Sequence, residues 1–248
     1  MIEDNLNRIK SELPSEVKLV AVSKFHPLEA ILEAYQAGQT VFGENRPQEL
    51  FAKAQAFEQW LRGRKSDVRA IPLEGAQGVR TKDEFDAVEW HFLGHLQTNK
   101  LKMVLPYATL VQSVDSVHLL EAIDNWGSAN DKVISVLLEL HIGAEETKQG
   151  FHEEEILDIL FHAGDYKYIR FCGLMGMASH TDDQEVINAD FERIDTFMAY
   201  LVDLFPELKD FNQLSIGMSD DWRIAVQHGS TMVRIGTAIF GARVYPDK

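Results

Sequence analysis

Val17-Lys18-Leu19-Val20-Ala21-Val22-Ser23-Lys24 is a short apolar, β-branched run that ends on a lysine. A run of this length and composition reads as a buried strand. Pro27 to Ala37, just downstream, has helical spacing, and no glycine-rich turn lies between the two. The same unit recurs along the chain. Further strand runs fall at Thr40 to Phe42, Trp90 to Leu93, Thr109 to Val114, Val133 to Leu140, Ile169 to Met175, Gln213 to Ile216 and Val233 to Ile235. Helical segments include Pro47 to Trp60, Ser116 to Trp126, Glu153 to His162 and Asp190 to Leu204. Strands that alternate with helices build a parallel sheet with crossover connections. Eight of them in 248 residues match one closed barrel of roughly 250 residues, whereas an open dinucleotide-type sheet would carry a glycine-rich turn after its first strand. The expected fold is α/β, a single (β/α)8 TIM-type barrel forming one domain over residues 1–248.

Bulk composition narrows the partners. The chain carries 24 Lys plus Arg against 39 Asp plus Glu, a net charge of −15, which repels nucleic acid and anionic membrane surfaces at long range. No stretch approaches the ~18 uninterrupted apolar residues of a membrane span. Neither nucleic acid nor membrane is an expected partner. The start, MIEDNLNRIK, lacks the basic and apolar regions of a secretory signal, so a cytoplasmic location is expected. The lone Cys172 has Phe171 and Leu174 nearby and reads as a buried small residue rather than a reactive thiol. Between Arg62 and Asp86 the chain is charged and broken by Pro72, Gly75 and Gly78, which reads as a loop insertion. A phosphate-binding reading of Gly75 to Arg80 rests on two glycines and one arginine, a weak signal.

Catalytic and binding residues of such barrels lie just after the strands. Lys24 holds that position on the first strand, where partial desolvation would make its amine nucleophilic. Position alone favours a solvated lysine at a strand end. Two later segments shift the balance. Ser215-Ile216-Gly217-Met218-Ser219 leaves the seventh strand for a helix near Asp220, with Ser219 at the expected N-cap and free amides beside it. Arg234-Ile235-Gly236-Thr237 leaves the eighth strand, with Gly236 allowing close backbone approach and Thr237 offering an amide and a hydroxyl. The loops after strands seven and eight are the usual phosphate site of this fold. A phosphate cradle facing a first-strand lysine suits a phosphorylated aldehyde.

The segments Val20-Ala21-Val22-Ser23-Lys24, Phe42-Gly43-Glu44-Asn45, Trp90 through Lys100, Gly173-Leu174-Met175, Leu214 through Ser219 and Val233 through Gly241 together resemble the signatures of the pyridoxal phosphate homeostasis proteins. The resemblance runs along nearly the whole chain in order. It implies a barrel like the alanine racemase N-terminal domain, with pyridoxal 5′-phosphate bound covalently as a Schiff base through Lys24. It further implies that Ser219, Gly236 and Thr237 hold the phosphate, with Ser215 and Met218 among the cofactor contacts. Arg234 would face the pyridine nitrogen and Asn45 would lie near the polar edge of the ring. The insertion at about 62–86 departs from the family pattern, and so does His141, which stands ahead of Glu145-Glu146-Thr147-Lys148 where an asparagine is usual.

Nine histidines show no metal-ligand spacing, and His95 reads as a loop-ordering residue in preference to a proton carrier. An arginine at the ring nitrogen would weaken the ring as an electron sink. The chain ends at Lys248, soon after the eighth strand, and none of its six tyrosines stands in a recognisable racemase motif, so the domain and base that complete a racemase site are not expected. The leading expectation is a monomeric protein that carries or buffers pyridoxal phosphate, with apo enzymes as recipients and no catalytic residues of its own. A pyridoxal enzyme acting on a small amino acid, such as a weak racemase, is the alternative. A sugar-phosphate barrel enzyme with a substrate Schiff base on Lys24 is the third.

Overall fold

The computed structural model describes residues 1–66, 88–143 and 149–242. In chain order the elements are α1 (Ile2–Glu12), β1 (Lys18–Val22), α2 (Leu28–Gln36), β2 (Val41–Glu44), α3 (Pro47–Ser66), β3 (Glu89–Phe92), α4 (Leu101–Val104), β4 (Ala108–Val114) and α5 (Val117–Asn130). They continue with β5 (Ile134–Glu139), α6 (Glu153–Phe161), β6 (Ile169–Met175), α7 (Gln184–Leu204), β7 (Gln213–Ser215), α8 (Trp222–Gln227), β8 (Met232–Ile235) and α9 (Thr237–Phe240). The eight strands are parallel and pair in sequence order into a closed barrel, sealed where Val20 pairs with Arg234 and Ala21 with Ile235. Closure leaves no sheet edge among these strands.

Both faces of each strand are covered, which is why the runs are apolar without a clean alternation. Leu19, Ala21 and Phe42 pack outward into the layer beneath the helices, together with Phe57, Phe92 and Phe191. Val20, Val41, Leu110, Leu137, Cys172 and Met232 fill the barrel interior. That smaller interior cluster is interrupted by polar side chains, which set up the site.

Differences from the sequence expectations have local causes. The opening segment forms α1, because Leu6 and Ile9 lie on one face and bury against the core. The helix α3 runs on to Ser66, past Gly63 and through the first residues of the expected insertion; the Gly75 to Arg80 reading and the Glu145 to Lys148 stretch lie outside the described residues. Asp183 caps α7 by accepting from Glu185 N at 2.9 Å, which starts that helix at Gln184, before the expected Asp190. The expected N-cap at Ser219 is also corrected. The cap of α8 is Asp221, two residues later, because a turn over Ser219 and Asp220 intervenes. Cys172 is buried, and burial pushes its thiol pKa up, as expected for an inert residue.

Candidate functional site

Side-chain parity along β1 decides where Lys24 goes. Val20 faces the interior, while Ser23 turns outward and donates its hydroxyl to Glu44 Oε1 at 2.6 Å. Lys24 therefore falls on the interior parity, at the C-terminal mouth, and is half-buried. The backbone beside it is clamped from behind. Lys53 of α3 donates to Ser23 O at 2.9 Å, to Glu44 Oε1 at 2.7 Å and to Glu49 Oε2 at 3.0 Å. Glu49 also accepts from Phe25 N at 2.9 Å, and Phe25 sits in the left-handed region at φ 66° with Arg46 over its ring. A bulky residue at positive φ costs on the order of 1–3 kcal/mol and persists only where its surroundings hold it. Burial raises the Glu44 carboxyl to about 6, partly offset by Lys53 and Ser23. Among the described residues its Oε2 has no hydrogen-bond partner, and neither has the buried Oδ1 of Asn45 next to it.

On β8, the strand that pairs with β1, Arg234 is buried and tightly held. Its Nη1 donates to Ser215 O at 2.6 Å and to Ser215 Oγ at 2.7 Å, and its Nη2 donates to Gly176 O at 2.9 Å. Burial lowers its pKa to about 10, so it stays charged at neutral pH. Glu139 closes β5 nearby, and its carboxyl is raised to about 7, by burial first and Asp115 second, against the pull of Arg234 and His95. His95 Nδ1 lies 2.7 Å from Asp115 Oδ2, so a buried carboxylate orders it, as the loop reading expects.

The loops after β7 and β8 are tied together where Arg234 N donates to Gly217 O at 3.0 Å. Gly217 has φ 93°, and a Cβ there would lie 2.6 Å from Ala225 Cβ. Only glycine fits this turn. Met218 N donates to Asp221 Oδ1 at 2.5 Å, so that amide is already used, and the Met218 side chain is exposed. Gly236 brings β8 against β1, where an added Cβ would sit 3.0 Å from Val22 O. It also precedes α9, whose first internal bond is Ile239 N to Gly236 O at 2.9 Å. The amides of Thr237 and Ala238 thus precede the helical ladder, as first-turn donors do.

The residues that the resemblance assigns to the cofactor all lie at this one mouth: Lys24 after β1, Asn45 after β2, Ser215, Met218 and Ser219 on and after β7, and Arg234, Gly236 and Thr237 on and after β8. Sequence reasoning missed Glu139, Asp115, Glu44 and Lys53. Glu139 had a usable signal, since it is a carboxylate near the end of an otherwise apolar run. Lys53 had none, because a lysine on a helix reads as solvated. His91 and His95 do not converge: His91 is buried in the barrel against Gln112, and among the described residues no group of side chains is placed to hold a metal.

A closed parallel barrel with a lysine just past its first strand belongs to a recognisable class of protein. Residues 1–244 match the family model "Alanine racemase, N-terminal domain". The chain belongs to this family, and within it to the group of pyridoxal phosphate homeostasis proteins. The protein of that name from Haemophilus influenzae is 35% identical over 254 residues, covering 98% of this chain and 97% of the relative. PipY of Synechococcus elongatus, solved with PLP bound, superposes with a TM-score of 0.80 at 32% identity, covering 97% of this chain and 100% of PipY. Alanine racemase of Clostridium difficile shares the fold at 16% identity with a TM-score of 0.71, and this chain covers 56% of it. Among the described residues no helix is long and apolar enough to cross a membrane.

Proposed function

We propose that this chain holds pyridoxal 5′-phosphate covalently through Lys24 and carries or buffers it, rather than turning over a substrate with it. The observation that carries the reading is the placement of Lys24 on the interior parity of β1, at the same mouth as the donor-rich ends of β7 and β8. The family, and a relative solved with the cofactor, support it.

The residues present fit the group. Asn45 Oδ1 is a buried acceptor with no partner among the described residues, as expected of an atom that meets a ligand donor. Gly236 keeps the wall thin, and the amides and hydroxyls of Ser219, Gly236 and Thr237 supply phosphate donors in a molecule of net charge −15. When bound, pyridoxal phosphate supplies an aldehyde that condenses with amines and a ring that withdraws electrons from the attached carbon. Arg234, charged at neutral pH, would hold a fixed cation toward the ring nitrogen and so disfavour its protonation. Ser23, Glu44 and Lys53 hold the backbone that presents Lys24. The recipients that fit this reading are apo forms of pyridoxal enzymes.

The test is reconstitution of the purified protein with pyridoxal phosphate, followed by borohydride reduction. A visible absorption band and a fixed adduct on Lys24, both lost in Lys24→Ala, are expected. A colourless wild type that takes up no cofactor would sink the reading. Glu139, raised to about 7, and the His95–Asp115 pair are acid–base groups at the same mouth, and they give the enzyme reading its support. Incubating the loaded protein with L-amino acids and following chirality separates the two: turnover well above free cofactor favours the enzyme.

A further inference from the structure

A line of polar side chains runs through the barrel interior, from the N-terminal mouth to Arg234. Lys18 Nζ donates to Glu89 Oε2 at 2.9 Å, and His91 Nε2 lies 3.6 Å from the same carboxylate. His91 Nδ1 is 2.8 Å from Gln112 Nε2, Gln112 Oε1 accepts from Ser215 Oγ at 2.7 Å, and Ser215 Oγ accepts from Arg234 Nη1 at 2.7 Å. His91, Gln112, Ser215 and Arg234 are all buried.

The polarity of this line follows from donor and acceptor counting. A guanidinium only donates, so Ser215 Oγ must accept from Arg234 and spend its own proton on Gln112 Oε1. The Gln112 amide nitrogen then faces His91 Nδ1 and, at 2.9 Å, Met232 Sδ. Both are acceptors for its two N–H groups. Flipping the amide would set its oxygen against the Met232 sulfur and leave the Ser215 proton without a partner. Gln112 must therefore donate to Nδ1, and the His91 proton resides on Nε2, toward Glu89. Burial independently lowers the His91 pKa, which keeps the ring neutral. Three of the five Arg234 N–H groups are committed to Ser215 and Gly176.

We propose that Gln112 and His91 are positioning residues for Arg234. Their one-way hydrogen-bond chain fixes Ser215 as an acceptor and so sets the direction in which Arg234 offers its remaining two N–H groups to the cofactor ring. The inference rests on the cofactor reading above for its consequence, while the chain itself can be tested in the apo protein. Neither residue reaches the mouth; each acts through the next.

Two measurements decide it. Nitrogen-15 NMR of the apo protein should show His91 as the neutral Nε2–H tautomer, with an unprotonated Nδ1, between pH 6 and 8. A protonated Nδ1 overturns the chain without any variant being made. Gln112→Leu removes both the acceptor for Ser215 and the donor to His91. In that variant the His91 tautomer signature should be lost, pyridoxal phosphate should bind about tenfold more weakly, and the pH midpoint of the cofactor band should move. Loss of packing alone would lower stability but leave that midpoint in place. Unchanged affinity and midpoint in Gln112→Leu, beside a normal band in the wild type, overturn this inference alone. No band in the wild type overturns the cofactor reading and, with it, the role assigned to the chain.

Discussion

The two mouths of the barrel are made by the same eight strands, yet they treat charge in opposite ways. At the N-terminal mouth a cavity of about 180 Å3 is lined by Lys18, Glu89, Arg170 and Asp210. These charges neutralise each other, Lys18 with Glu89 at 2.9 Å and Arg170 with Asp210 at 3.5 Å. The nearby His91 ring and the hydrogen bond from Lys18, working against burial, hold the Glu89 carboxyl down at about 2. At the C-terminal mouth burial raises Glu44 to about 6 and Glu139 to about 7, and two buried oxygens lack partners among the described residues. Folding alone has no use for buried polar atoms left without a partner. The contrast fits the general division of labour in this fold, with stability at the N-terminal mouth and chemistry at the C-terminal one.

Exchange of one lysine at each mouth tests the contrast most severely. Lys53→Met leaves the Glu44 carboxylate buried without its cation, and denaturant unfolding should show a loss of about 3–5 kcal/mol. Lys18→Met breaks a pair that is 42% exposed on both sides, and the same experiment should show less than about 1 kcal/mol. Equal losses would break the distinction.

The pH dependence of stability sharpens it. Glu44 and Glu139 bind a proton more tightly folded than unfolded. Their contribution is present in full below the ordinary 4.5 and is lost as the pH rises through about 6 and about 7. Glu89 runs the other way: its contribution is present above 4.5 and is lost as the pH falls through about 2. Glu139→Gln should flatten the decline between about pH 5 and 8, an effect on the order of 2–3 kcal/mol, in thermal melts followed across pH. A decline that persists unchanged would remove Glu139 from the contrast.

The smallest effect at the C-terminal mouth is expected at the proposed phosphate donors after β8. Thr237→Val deletes one hydroxyl donor and keeps the shape, so pyridoxal phosphate should bind about tenfold more weakly, with unfolding unchanged, when fluorescence titration and melts are compared.

Much of this was legible in the chain itself. The strand runs fell within a few residues of the observed strands, and Ile169–Met175 matched in full. Lys24, Gly236 and Thr237 could be singled out as candidates because a barrel presents its chemistry at strand ends, and a strand end is visible in one dimension. The helix limits were less legible. Asp183 moved the start of α7, Asp221 displaced Ser219 as the cap of α8, and α1 was read only as polar although Leu6 and Ile9 mark its buried face.

The sequence by itself determined the closed barrel, the lysine on its first strand and the donors after its last two strands, because strand period and strand order are local properties. Only the tertiary structure decided what surrounds that lysine. Lys53 comes from α3 to Ser23 O, Gln112 on β4 bonds Ser215 on β7, and Asp115 after β4 holds His95 after β3. Those partners are set by barrel closure and helix packing, which bring together side chains whose spacing along the chain carries no trace of their contact.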